Sequence, residues 1–170
     1  LKEESGNPTQ SFKARGLAMA VNGALAFGVR GIALPSAGNA GSAAAAYAAA
    51  AGLPCRVVMP QDTPEAFVLE TRAFGAEVRL VAGTIADAGR LAAEWAPAPQ
   101  WWKVATFKEP FRLEGKKTLG YEIAEQLGWR LPDVILYPTG GGTGLIGMWK
   151  AFRELAALGW TDGPMPRLVA

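Results

Sequence analysis

The chain has 170 residues, half of them hydrophobic and 19% charged, which excludes a disordered tail and leaves enough apolar surface for a buried core. Its 17 basic and 15 acidic residues give a net charge of +2 and lie scattered, so no basic footprint for nucleic acid emerges. There is no histidine and one cysteine, Cys55, which excludes Ser-His-Asp and Cys-His catalysis, histidine metal sites, internal disulfides and CxxC metal knuckles.

Leu1-Lys2-Glu3 reads as the end of a strand. Asn7-Pro8 then favours a turn, and Ser11 or Thr9 is placed to cap a helix over 13–27. Lys13 falls in the first turn of that helix. There the positive helix end and burial lower an amine's pKa and favour the neutral, nucleophilic form that makes Schiff bases. By itself, the same lysine also fits a solvated helix start.

A strand over 31–34 leads into the loop 35–42, which opens a helix over 41–51. Free N–H groups at that helix start suit a carboxylate, and Ser36 and Asn39 add directional donors. The loop also fits a plain capped turn. The alanine run at 43–51 is too short and too weakly hydrophobic to span a bilayer.

Strands follow at 56–59, 77–81, 103–106 and 133–137, alternating with helices at 64–74, 85–95, 112–127 and 143–158. The runs at 56–59 and 133–137 are continuous and β-branched, as fully buried parallel strands are. Gly28, Gly52 and Gly75 each stand at a helix end, where glycine supplies a left-handed cap. The segment 96–99 is a turn and 160–166 a Gly/Pro-rich loop, after which 167–170 reads as the start of another strand. Strands and helices in this order make a parallel sheet with helices on both faces. With strand pieces at both ends, we expect an internal fragment of a longer enzyme.

Three consecutive glycines mark the loop 138–144, between a strand and a helix. They let the backbone close on a ligand, and their amides can cradle a phosphate. Gly142-Thr143-Gly144-Leu145-Ile146-Gly147 also fits G-x-G-x-x-G, so a nicotinamide-dinucleotide-binding domain stands as a rival. Against it, Pro138-Thr139 separates the strand from the glycines, and Asp162 sits in a loop. Gly115-Lys116-Lys117-Thr118 lacks the leading glycine of a Walker A loop.

A lysine segment, an Asn-bearing anion loop and a glycine phosphate loop, in this order, resemble the fold-type II pyridoxal-phosphate enzymes. Asn7-Pro8-Thr9-x-Ser11-Phe12-Lys13-x-Arg15-Gly16 resembles the cofactor-lysine segment of threonine synthases. Ser36-x-Gly38-Asn39 is similar to that family's Ser-x-Gly-Asn loop, and Pro110-x-Arg112-x-Glu114-Gly115-x-Lys117-Thr118 followed by Glu122-Ile123 to its mid-chain segment.

The resemblance implies a two-lobed α/β fold with open parallel sheets, of the tryptophan synthase β-like type and incomplete at both ends here. It implies a smaller lobe over residues 20–110, with 1–19 and 111–170 in the larger lobe. By the same resemblance, Lys13 carries pyridoxal 5′-phosphate as a Schiff base, with Phe12 beside it. Asn39 bonds the cofactor's ring oxygen, and Gly140, Gly141, Gly142, Thr143 and Gly144 hold its phosphate. Ser36, Ala37, Gly38 and Asn39 receive the substrate carboxylate, and Arg112 binds a substrate phosphate. The implied reaction converts O-phosphohomoserine to threonine and phosphate, in a cytoplasmic homodimer without metal.

The chain departs from the family in having Ala37 where serine is frequent, Gln10 where glycine is, and Thr106-Phe107 where an Asn-Ser pair is. Phe107 cannot donate to a phosphate. A threonine or serine dehydratase, which shares all three loops but takes an unphosphorylated substrate, therefore stands as the alternative, with Arg112 as the discriminating residue. Exposed apolar surface is expected where the rest of the larger lobe would pack.

Overall fold

The computed structural model describes all 170 residues, Leu1–Ala170. A single 3-10 turn, Pro8–Gln10, precedes α1 (Lys13–Ala26), β1 (Gly31–Pro35), α2 (Asn39–Ala50), β2 (Cys55–Pro60), α3 (Glu65–Ala73), β3 (Glu77–Val81), α4 (Ile85–Trp95) and β4 (Trp101–Lys103). Then come α5 (Phe111–Gln126), β5 (Val134–Leu136), α6 (Thr143–Ala157) and β6 (Arg167–Val169).

The apolar runs of β1 and β2 are buried on both faces because helices cover both. Side chains alternate between the faces. Ile32, Leu34, Val57 and Met59 point into a core shared with Leu17, Ala20, Val21 and Ala24 of α1 and the alanines of α2. Ala33 and Val58 point the other way, Ala33 against Trp101 and Ala96, Val58 against Ala88 and Ala92 of α4. Small side chains at Ala43, Ala44, Ala45 and Ala48 are fully buried, so α2 packs closely with α1 and the sheet. Gly28, Gly52 and Gly75 end α1, α2 and α3 with positive φ, as their position before each strand requires. A reciprocal capping box between Thr84 and Asp87 starts α4.

Four strands form one parallel sheet in the order β3-β2-β1-β4, with Ile32 opposite Cys55 and Gly31 opposite Trp101. A second parallel pair, β5-β6, aligns Val134 with Arg167. α5 and α6 pack against each other over Leu119, Met148, Phe152 and Leu155, forming a second core beside this pair. Glycine permits the close approach: a Cβ at Gly120 would stand 2.7 Å from Ala151 Cβ. α1 belongs to both regions, since it lines the first core and also packs on α5.

Four expectations change. Residues 1–3 form no strand, because no neighbouring strand pairs with their backbone. β4 is Trp101–Lys103 rather than 103–106, because Trp101 buries its ring against Gly31 and Ala33 and so sets the register with β1. β5 is not buried on both faces: Val134 is 48% and Leu136 76% exposed. Ile135 alone faces the second core, and β6 is the only paired neighbour. α2 begins at Asn39, two residues early. No helix is long and apolar enough to cross a membrane.

Candidate active site

Lys13 is the first residue of α1. Of its two expected caps, Ser11 acts: its hydroxyl accepts from Lys13 N–H at 3.1 Å, while Thr9 donates to the Pro8 carbonyl. The segment before Lys13 is fastened by Arg15, whose guanidinium donates to both carboxylate oxygens of Glu4 (2.6 and 2.8 Å) and to both of Glu122 on α5 (2.7 and 2.8 Å). Lys2 joins Glu122 at 2.7 Å. These bonds hold the Arg15 cation above its ordinary pKa and pull Glu122 down to about 2. Lys13 is thereby placed against α5 and the start of α6.

Facing Lys13, the loop 138–144 feeds α6. Gly142 is its N-cap in the left-handed region, φ 78°. None of the backbone N–H groups from Gly140 to Leu145 has a partner. A Cβ at Gly144 would collide with the Tyr137 hydroxyl and lie 2.9 Å from the Phe12 ring, so only glycine fits there. Phe12 stands edge-on to Tyr137, with ring centroids 5.8 Å apart. Thr143 is buried and its hydroxyl accepts from Lys116 Nζ.

Lys116 lies one helical turn after Arg112 on α5, so both side chains share a face. Arg112 is 7% exposed, and its Nε has no hydrogen-bond partner. Glu109 accepts from the Arg112 backbone N–H and is the nearest counter-charge. Its carboxyl is raised, because burial outweighs the bonds that favour its charge. Phe12, Lys13, Thr106, Arg112, Lys116 and the loop enclose a cavity of about 90 Å³. A wider cleft of about 790 Å³ adjoins it, between the N-terminal segment, α5 and β5. Burial, then the nearby Arg112 charge, lowers the Lys13 pKa. Burial, then Arg112 and Lys13, pushes Lys116 down to about 7.

Phe12, Lys13, Arg112 and residues 140–144 thus meet at one place. Ser36, Ala37, Gly38 and Asn39 line neither cavity. They form the start of α2, against which the turn Pro8–Gln10 packs, so they flank the segment that carries Lys13. The N–H groups of Ala37, Asn39 and Ala40 are free, and Asn39 is exposed with its amide unengaged. Ser36 differs from expectation. Its hydroxyl donates to Gly38 O at 2.9 Å and accepts from the N–H of Gly38 and Gly41, so no hydrogen remains for a carboxylate, which only accepts. It shapes the loop instead. Phe107 is exposed and Thr106 alone of that pair lines the cavity.

Lys116 and Glu109 were not legible as site residues. The available signal was spacing: Lys116 at i+4 from Arg112 on one helix, Glu109 three residues before it. At the third glycine of the G-x-G-x-x-G match, a Cβ at Gly147 would stand 3.0 Å from Lys116 Cβ. That glycine serves helix packing.

The loop amides, an unpartnered buried guanidinium and two amines of lowered pKa fit a ligand that carries both a phosphate and a carbonyl. Comparison with known proteins agrees. Residues 1–170 match the family model described as "Pyridoxal-phosphate dependent enzyme". The chain is 37% identical over 169 residues to threonine synthase of Methanosarcina acetivorans, covering 99% of this chain and 41% of that protein. It is 38% identical over 170 residues to threonine synthase of Mycobacterium tuberculosis, covering 99% of this chain and 47% of that protein. The chain therefore spans less than half the length of these relatives. Among solved structures it is similar to threonine deaminase isoform 2 of Solanum lycopersicum, with a TM-score of 0.78 and 28% identity over 92% of this chain and 43% of that one.

Proposed function

The chain belongs to the pyridoxal-phosphate-dependent enzymes, and on that premise we propose that it forms the cofactor-binding part of a threonine synthase, a lyase that turns O-phosphohomoserine and water into threonine and phosphate. One observation carries the substrate choice. Arg112 lies buried beside Lys13 with its Nε unpartnered, in addition to the free amides of the 140–144 loop. A site for one phosphate needs the loop; a buried guanidinium beside it supports a second anionic group. With the substrate carboxylate assigned to the free amides at the start of α2, the anion left for the guanidinium is a phosphate, which an unphosphorylated amino acid lacks.

Lys13 would carry the cofactor covalently, with Phe12 beside it, and Asn39 would bond its ring oxygen. Gly140, Gly141, Gly142, Gly144 and Thr143 would hold its phosphate at the N-terminus of α6. When bound, pyridoxal phosphate supplies the electron sink for a carbanion at the substrate's α carbon. The chain's own groups do the rest. Once the substrate's amine has displaced it, the freed Lys13 Nζ takes and returns protons as general base and acid, a task its lowered pKa suits. The free amides at the start of α2 receive the substrate carboxylate in the loop that Ser36 shapes. Arg112 holds the substrate phosphate until it leaves. The reading includes the lobe division given above, 20–110 against 1–19 with 111–170.

The test is turnover by the intact protein of O-phosphohomoserine, serine and threonine side by side. Threonine and phosphate should form in equal amounts from O-phosphohomoserine, and Lys13→Ala should lower the rate at least about a thousandfold. Faster formation of a keto acid and ammonia from threonine or serine would favour the dehydratase reading instead.

A further inference from the structure

One buried charged group has no task in that reading. Lys116 is 3% exposed, and its stem lies in a channel opened by glycines on two other helices. A Cβ at Gly147 of α6 would sit 3.0 Å from Lys116 Cβ, and one at Gly16 of α1 would sit 3.2 Å from its Cε. Three helices therefore close around a single amine. Nζ donates to Thr143 in the phosphate loop and lies 5.1 Å from the centre of the Phe12 ring. It makes no ion pair with any carboxylate.

The groups around it are Lys13 from α1, Arg112 from α5, Glu109 just before α5, Thr143 from α6 and Tyr137 after β5. Three basic groups thus share one carboxylate, and Arg112 Nε is buried without a partner. Such an arrangement is unfavourable unless an anion completes it.

We propose that Lys116 is a binding residue for a phosphate monoester dianion in the cavity lined by the 140–144 loop, where its ammonium adds charge that glycine amides alone cannot supply. The proposal rests on the reading that this loop takes a phosphate. Two sources share that chemistry, the cofactor's phosphate and the substrate's.

A consequence for pH follows. In the empty pocket Lys116 loses its proton near pH 7. A bound dianion favours the charged amine, so binding draws a proton onto Nζ. Phosphate affinity should then fall as pH rises above about 7, by up to about tenfold per pH unit.

The experiment titrates the intact protein with pyridoxal phosphate and with pyridoxal, which lacks the phosphate, following visible absorbance from pH 6.5 to 9. It is repeated for Lys116→Met and Lys116→Arg, with KM and kcat for O-phosphohomoserine alongside. In Lys116→Met, pyridoxal phosphate should bind at least about tenfold more weakly while pyridoxal is unaffected; this identifies the cofactor's phosphate. An unchanged cofactor affinity with KM raised about tenfold and kcat retained identifies the substrate's phosphate. Lys116→Arg should retain affinity and flatten the pH dependence, because a guanidinium does not titrate in this range.

The proposal fails if Lys116→Met binds all three ligands as the natural protein does, or if it weakens pyridoxal and pyridoxal phosphate equally. Should Lys116→Met not fold, Lys116→Arg decides: a decline above pH 7 that persists unchanged overturns the proposal. A natural protein that binds pyridoxal phosphate but releases no phosphate from O-phosphohomoserine sinks the threonine synthase reading and leaves the cofactor comparison standing.

Discussion

The starts of α2 and α6 use the same backbone device to different ends. Each follows a parallel strand through a glycine-containing loop and presents N–H groups with no partner, three at α2 and six at α6. At α2, the loop is self-contained: Ser36 spends its hydroxyl on Gly38 and Gly41, and the one free side-chain donor is the neutral amide of Asn39. At α6, the loop is nearly bare, and two other helices bring Lys13, Arg112 and Lys116 to it. Free amides make an anion site in both places. The charge of the ligand each suits is decided by side chains from elsewhere, a monoanionic carboxylate at α2 and a dianionic phosphate at α6.

The contrast can be broken most severely at Gly144. Gly144→Ala places a methyl on the Tyr137 hydroxyl and the Phe12 ring, so cofactor affinity should drop on the order of a hundredfold by absorbance titration. Gly38→Ala at the other loop meets only Phe67 at 3.6 Å, ordinary contact, and should cost far less. Next comes charge. Arg112→Met should raise KM for O-phosphohomoserine by about ten- to a hundredfold, the worth of a charge-assisted bond, with pyridoxal binding preserved. Equal losses for phosphorylated and unphosphorylated ligands would show that Arg112 serves structure alone.

A third difference is in pH response. The unfolded chain keeps the Lys116 proton up to its ordinary pKa of 10.5, whereas the folded, empty protein releases it near 7. Between those values the unfolded state binds more protons, so Lys116 makes the empty protein more stable as pH rises from about 7 towards 10. Thermal melts with and without Lys116→Met should differ in this slope, while no group of the α2 loop contributes one. The smallest effect concerns the cap. Ser36→Ala removes an acceptor from two N–H groups and should destabilise the protein by about 1 kcal/mol in denaturant melts. It should leave the affinity for inorganic phosphate, which has no group for the α2 loop, unchanged.

Much of the architecture is local and was legible. β3 and α4 have the bounds that their patterns give, and β1, β2, α1 and α6 fall within one or two residues of theirs. Short apolar runs closed by glycine caps admit few other readings. Where the reading slipped, a distant partner intervened. The register of β4 depends on how Trp101 fits over Gly31, seventy residues away in the chain. The exposure of β5 depends on how many strands and helices surround it, which no run of β-branched residues encodes.

The same division holds at the site. Sequence alone determined the βα order, the lysine at a helix start, the three loops and the family resemblance they carry, because each is a property of a few adjacent residues. Tertiary structure decided which of those loops share a cavity, that the Ser36 hydroxyl is already spent, and that Lys116 enters the phosphate loop between glycines of two other helices. Burial and charge proximity are sums over neighbours brought together by folding. Lys116 and Thr143 are 27 positions apart, and only the packing of α5 on α6 makes them touch.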